Sequence, residues 1–276
     1  MTDRSHRAVS VLAIVLLGAV VVVSIVGVSV WMGRERPGAR SLEDALRDFR
    51  NGDAGAIDAL GAVARRPQAG VYAATGAGHA SIDIPPVSQS YGATIPVTVR
   101  HIGDDCWSTR VDFNTAYAQT WDYCLVDGQV VENANHTSTR WDFGFTTIEE
   151  RTEFVCSPPS VIVRSGERRN DGSSSTCTGS NSSIGGSTTS AVTITMLGAE
   201  PIDVGGTVVA AFHFREDDRL TGAQRGTTAI DYWYSVESFL LLRMERSNQL
   251  RTDSPIGSVT YAEDGALQLS SLEPAR

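Results

Sequence analysis

Hydrophobic positions are arranged along this chain in three ways: an unbroken run near the start, a short stretch at helical spacing, and from residue 70 onward an alternation rich in aromatics. The run from Ala8 to Gly33 holds 26 residues without a charge. At ~1.5 Å of rise per residue, a helix over residues 8–32 is somewhat longer than a hydrocarbon core of ~30 Å, which predicts a tilted transmembrane helix. The competing reading, a cleaved secretory signal, calls for an apolar core of about 7 to 15 residues and a small-residue cleavage site. Val28-Ser29-Val30 is a poor match to such a site, and Trp31 sits where an interfacial aromatic anchor belongs. An uncleaved anchor is therefore expected, with residues 1–7 as a cytoplasmic tail and residues 33–69 as a stalk.

Within that stalk, Leu42, Leu46, Phe49, Ile57, Leu60 and Val63 recur near the helical period between Ser41 and Arg66, and Ser41 is placed to cap the helix before Glu43 and Asp44. Gly52, Gly55 and Gly61 weaken the pattern, so two short helices or a partly ordered linker are expected.

Residues 70–276 read as a mainly β domain, a large antiparallel sheet. Trp107, Val111 and Phe113 share one strand face, and Trp121, Tyr123 and Leu125 share another. A hairpin turning near residues 114–116 opposes Trp107 to Tyr123 and Cys106 to Cys124, within disulfide reach. That predicts a Cys106–Cys124 bridge and leaves Cys156 with Cys177, at the base of a Ser-, Gly- and Thr-rich loop over residues 165–190. Four cysteines allow three connectivities. Further strands are predicted at 94–102, 139–145, 151–156, 191–197, 207–215, 227–235, 239–246, 257–261 and 266–272, with Asp264-Gly265 as a hairpin turn between the last two. Trp141, Phe143 and Phe145 share a face, as do Val208, Ala210, Phe212 and Phe214; such stripes are core in the first instance.

Charge and composition set the surroundings. Arg4 and Arg7 balance Arg34, Arg36 and Arg40 across the apolar run, so orientation rests on the cysteines, whose disulfides persist outside the reducing cytosol. The domain is expected on the extracytoplasmic side of a cell membrane. All 23 basic residues are Arg, and Ala and Gly are abundant, the coding bias of a GC-rich, actinobacterial-type genome. A net charge of −9 argues against nucleic acid as a partner. No Cys follows the apolar core, which excludes an amino-terminal lipid anchor of the lipoprotein type.

Catalytic motifs are missing: there is no GxSxG, SxxK, HExxH or phosphate-binding glycine loop, and no cofactor is implied. No metal site is expected, since no CxxC occurs and the five His are scattered. Asp104-Asp105 and Glu216-Asp217-Asp218 read as solvated loop carboxylates. His213 is out of phase with Phe212 and Phe214, facing solvent or a second layer. Asn135-His136-Thr137 matches a glycosylation sequon.

The late segment Ile230-Asp231-Tyr232-Trp233-Tyr234-Ser235, a turn, then Phe239-Leu240-Leu241-Leu242-Arg243 resembles the hairpin found late in bacterial lipoprotein carriers and related cell-envelope proteins of the LolA/LppX type. Those proteins are curved antiparallel half-barrels around an apolar cavity. The resemblance spans residues 70–272 and implies a cavity that shields an acyl chain, with Phe212, Phe214, Tyr232 and Trp233 as wall residues. The chain departs from the family in its apolar anchor and in its cysteines. Three functions follow: a lipid- or lipoprotein-binding envelope domain, a non-catalytic interaction or scaffold domain, and a hydrolase whose triad is assembled only in space. The bilayer is the expected partner of the helix, and a lipid or lipoprotein is the expected ligand of the sheet.

Overall fold

The computed structural model describes residues 37–51, 66–163, 169, 171–254 and 257–275. The expected anchor at 8–32, the tail before it, and Ile57, Leu60 and Val63 of the stalk lie outside these residues. Among the described residues no helix is long and apolar enough to cross a membrane. One helix, α1 (Leu42–Asn51), begins as the sequence indicates: the Ser41 hydroxyl accepts from the Asp44 backbone N–H at 3.0 Å. Its end is fastened to the sheet. The Arg100 guanidinium donates to the Asp48 and Phe49 carbonyls at 2.8 and 3.2 Å and lies 4.8 Å from the Phe49 ring. A cation on the last carbonyls satisfies groups the helix leaves unpaired. The helix thus lies against the β domain and does not act as a free spacer.

The remainder is one antiparallel sheet of thirteen strands. They are β1 (Gly70–Ile82), β2 (Val87–Ser90), β3 (Thr94–His101), β4 (Cys106–Asn114), β5 (Tyr117–Val126), β6 (Gln129–Asp142), β7 (Thr147–Val163), β8 (Gly172–Asn181), β9 (Ile184–Val204), β10 (Thr207–Gly222), β11 (Gln224–Ser235), β12 (Leu241–Ser254) and β13 (Gly257–Leu269). The expected half-barrel is corrected here: Ala74–Ile82 of β1 pairs with Tyr261–Leu269 of β13, so the sheet closes on itself. β3 pairs with residues 70–75 of β1 and β2 with residues 79–82, so the two share one position in a twelve-strand barrel. Closure removes the unpaired edges that an open sheet would present.

The Asp264-Gly265 turn is also overturned. Both residues lie in mid-strand, paired with His79 and Gly78. The glycine serves close approach: a methyl group at position 265 would fall 2.3 Å from the Tyr91 ring, and one at Gly78 would meet the same ring. The expected loop at 165–190 is largely strand. β8 and the start of β9 form a hairpin through Ser182-Ser183, and Ser, Thr and Gly alternate across it in ladder register.

Period two places the core. Trp107, Trp121, Phe113 and Tyr123 are buried on the inner faces of β4 and β5, and Cys106 lies directly opposite Cys124 on the outer face. Both disulfides have the expected connectivity: Cys106–Cys124, and Cys156–Cys177 joining β7 to β8 in a buried row. The stripe expected at 208–214 changes phase. Val208 is 68% exposed, whereas Val209 and Ala211 pack inward, near the point where the ladder with β9 slips a residue between His213 and Phe214. Residues 142–147 form a separate short turn, in which the Asp142 carboxylate accepts from Gly144 N–H at 2.7 Å. β6 accordingly ends before the predicted 139–145 strand does, and Phe145 is exposed.

Candidate functional site

Three zones of the barrel hold chemistry. The first is the apolar part of the lumen, where the expected cavity was placed. Phe214 and Tyr232 are buried there side by side on β10 and β11, and Phe212 packs against the same core, its ring 6.0 Å from Phe214 and 6.3 Å from Phe239. Adjacent strand residues face opposite sides, so Trp233 cannot join Tyr232 and lies on the outer face. The free space lined by Trp107, Tyr123, Val130, Ile162, Val163, Tyr234 and Phe239 is ≈ 10 Å³, room for one water molecule at most. The Tyr123 and Tyr234 hydroxyls meet at 2.8 Å across it.

The second zone is a polar core deeper in the barrel. Glu263, with no exposed surface, pairs with Arg246 at 3.3 Å and accepts from Tyr91, Tyr261 and Asn248. Arg246 also donates to Gln119 at 2.6 Å and sits 5.4 Å from the Phe113 ring and 6.0 Å from the Tyr117 ring. These partners offset much of the cost of burying the pair, while Arg246 Nε and Asn248 Oδ1 stay without a hydrogen bond among the described residues. Near it project three carboxyls, Glu132 from β6 and Glu216 and Asp218 from β10. Burial pushes Glu132 up to about 8, Asp218 to about 7 and Glu216 well above the ordinary carboxylate range; neighbouring negative charge adds to it, from Asp218 at Glu132, from Asp218 and Glu132 at Glu216, and from the exposed Asp217 at Asp218. The reading of 216–218 as a solvated loop is therefore corrected: Glu216 is 7% exposed in mid-strand, and Asp217 alone of the three is turned outward and exposed. Asn135 of the sequon donates to Glu132 at 2.9 Å on the inner face, which removes it as a glycan acceptor in the folded domain. No group of three or more His, Cys, Asp or Glu side chains among the described residues is arranged to hold a metal ion.

The third zone is the outer face. On β10, β11 and β12 the register partners His213, Trp233 and Arg243 stack, the imidazole 4.2 Å and the guanidinium 4.6 Å from the indole. Both nitrogens of His213 face carboxylates, Asp231 at 3.0 Å and Glu200 at 3.4 Å, and Trp233 donates to Glu200. Further round, the outward residues of β4 to β8 bound two adjoining depressions of ≈ 430 and ≈ 180 Å³ that share Arg110, Ala118, Ser138 and Arg151. Arg40 and Arg110 both reach Asp112 from this side, at 2.6 and 2.8 Å. Sequence reasoning missed the outer zone and the polar core alike. The outward polar residues Thr120, His136, Ser138, Arg140 and Arg151, out of phase with Trp121, Tyr123 and Trp141, were the available signal for the outer groove.

No family model matches the chain, and no curated protein matches it. Among solved structures, the hypothetical lipoprotein YmcC from Escherichia coli (K12) is similar over 86% of this chain and 98% of that one, at 13% identity and a TM-score of 0.31.

Proposed function

We propose that the protein is a membrane-tethered, non-catalytic binding domain of a bacterial cell envelope, and that its ligand engages the outer face of the barrel. The observation that carries this reading is the larger outer depression of ≈ 430 Å³, set against ≈ 10 Å³ in the apolar space between Trp107, Tyr123 and Phe239. The two disulfides support an extracytoplasmic setting. The non-catalytic reading is supported by His213, whose Nε2 is hydrogen-bonded to Asp231 at 3.0 Å and whose Nδ1 faces the Glu200 carboxylate at 3.4 Å, with no Ser, Thr or Cys between them.

A second reading, lipid held inside the barrel, rests on the wholly hydrophobic and aromatic lining of the small space around Trp107 and Phe239. Those side chains would have to part to admit an acyl chain, each methylene gaining ~0.8 kcal/mol on burial. Native mass spectrometry separates the two. The barrel has its own core and closes on itself, so the domain from residue 37 onward, secreted through an oxidising route and purified without detergent, is the material to weigh. The expected result is an apo mass four hydrogens below the reduced chain, two for each bridge. A retained mass in the lipid range, lost on organic extraction, would move the ligand inside and overturn the outer-face reading.

A further inference from the structure

We propose that the groove across β4 to β8 binds an extended polysaccharide bearing carboxylate or phosphate groups; this deepens the outer-face reading and rests on it. The chain is acidic overall, with 32 carboxylate side chains against 23 guanidiniums, yet Arg40, Arg110, Arg140 and Arg151 gather around this one groove. Asp112, its most buried carboxylate, is saturated by Arg40 and Arg110. Arg140 and Arg151 are exposed and have no ion pair among the described residues, although Glu149 and Glu153 flank Arg151 two positions away on the same face. Two guanidiniums on neighbouring strands, each with a free planar fork, suit carboxylate or phosphate oxygens.

The rest of the lining selects the backbone that carries those anions. Between the arginines the larger depression is walled by hydroxyls, including Thr120, Ser138, Ser180 and Ser182, with His136, which pairs with Asp122, and the carboxylate of Glu153 among them; Ala118 is its one wholly hydrocarbon side chain. Such a surface offers hydrogen bonds to sugar hydroxyls and nothing to an acyl chain. Crossing from β4 to β8 covers four strand spacings, ~19 Å, the scale of a short run of sugar units. An acidic peptide is the weaker match, because an extended peptide gains most from pairing with a free strand edge, and β4 to β8 under this groove each have a strand neighbour on both sides.

The test uses the full chain in phosphatidylcholine nanodiscs, with binding to immobilised polygalacturonate, phosphomannan, neutral dextran and poly-L-glutamate read by biolayer interferometry. Binding to polygalacturonate or phosphomannan but not dextran, weakened by added salt and at least tenfold by Arg140→Ala with Arg151→Ala, supports the assignment. The paired variant should keep its thermal midpoint, since both side chains are exposed and unpaired; Arg151→Glu alone should weaken binding in the same direction. Equal or tighter binding of poly-L-glutamate would overturn the glycan assignment and leave the outer groove as a site for acidic protein. Absence of binding to both polygalacturonate and immobilised phosphomannan overturns the proposal, and binding to one of the two identifies the anion the groove takes. If the domain also retains lipid in the mass measurement, the outer-face reading falls with it; if the domain is apo, only the polysaccharide assignment falls.

Discussion

Glu263 carries more of the barrel interior than any other single side chain, because Arg246, Tyr91, Tyr261 and Asn248 all converge on it. Truncating it leaves a guanidinium buried without its counter-ion, so Glu263→Ala should lower unfolding free energy by about 3 to 5 kcal/mol in a urea titration. Glu263→Gln retains an acceptor and should cost less. A change below ~1 kcal/mol for the alanine variant would mean that Arg246 finds another partner or reaches solvent. Gly265 is a sharper case of the same dependence on neighbours. A side chain there meets Tyr91, and Gly265→Val should destabilise by about 1 to 3 kcal/mol, with part of the loss recovered when Tyr91 is also made Ala. Equal losses with and without the Tyr91 change would show that the glycine is needed for its backbone alone. The Asp-Gly pair looks like a turn because local sequence encodes conformational freedom, whereas the demand for a missing side chain comes from a residue 174 positions away, 265 less 91.

At the scale of elements, what was legible is what period two and opposed pairs encode. The β4–β5 hairpin sets Cys106 against Cys124 and Trp107 against Tyr123, an arithmetic that needs only the turn and the alternation. The cap of α1 was equally local. Strand ends were less so. β8 and β9 carry Ser, Thr and Gly in place of hydrophobics on one face, and their pairing is held by ladder hydrogen bonds, while Cys156–Cys177 ties β8 to β7 on its other side, so composition alone resembled a loop. Tyr232 and Trp233 illustrate the same limit from the other side: both are aromatic and both are mostly buried, but one packs in the lumen and the other lies between His213 and Arg243 outside. Replacing Cys106 and Cys124 together by Ser should cost about 2 to 5 kcal/mol in thermal or denaturant unfolding, since the bridge restricts the unfolded chain. An unchanged transition would mean that the outer ladder of β4 and β5 holds the chain equally well without it.

For the molecule as a whole, closure determines what the lumen must contain. A closed barrel turns its inward rows away from water, and where sequence supplies Glu132, Glu216 and Asp218 the result is three carboxyls in one poorly solvated space. No local signal separates these acids from surface ones, because their burial depends on which strands face across the lumen. Their raised pKa values make stability fall with pH. Below the ordinary values, 4.5 for Glu132 and Glu216 and 3.8 for Asp218, folded and unfolded chains are both protonated and the folded state is at its full advantage. Above them the unfolded carboxyls ionise while the folded ones keep their protons, so the folded chain binds more protons and ∂ΔG/∂pH is negative. The loss runs until pH passes about 8 for Glu132 and about 7 for Asp218, where the folded groups ionise too. The thermal midpoint should therefore drop steadily between about pH 5 and about pH 8. Glu132→Gln with Asp218→Asn should flatten that slope, because the amides cannot ionise in either state, and the new amide oxygen at position 132 can still accept from Asn135. A slope that survives both substitutions would place the proton linkage on Glu216 or on the acidic surface, and a midpoint that rises with pH would mean that the three carboxyls are ionised in the folded barrel.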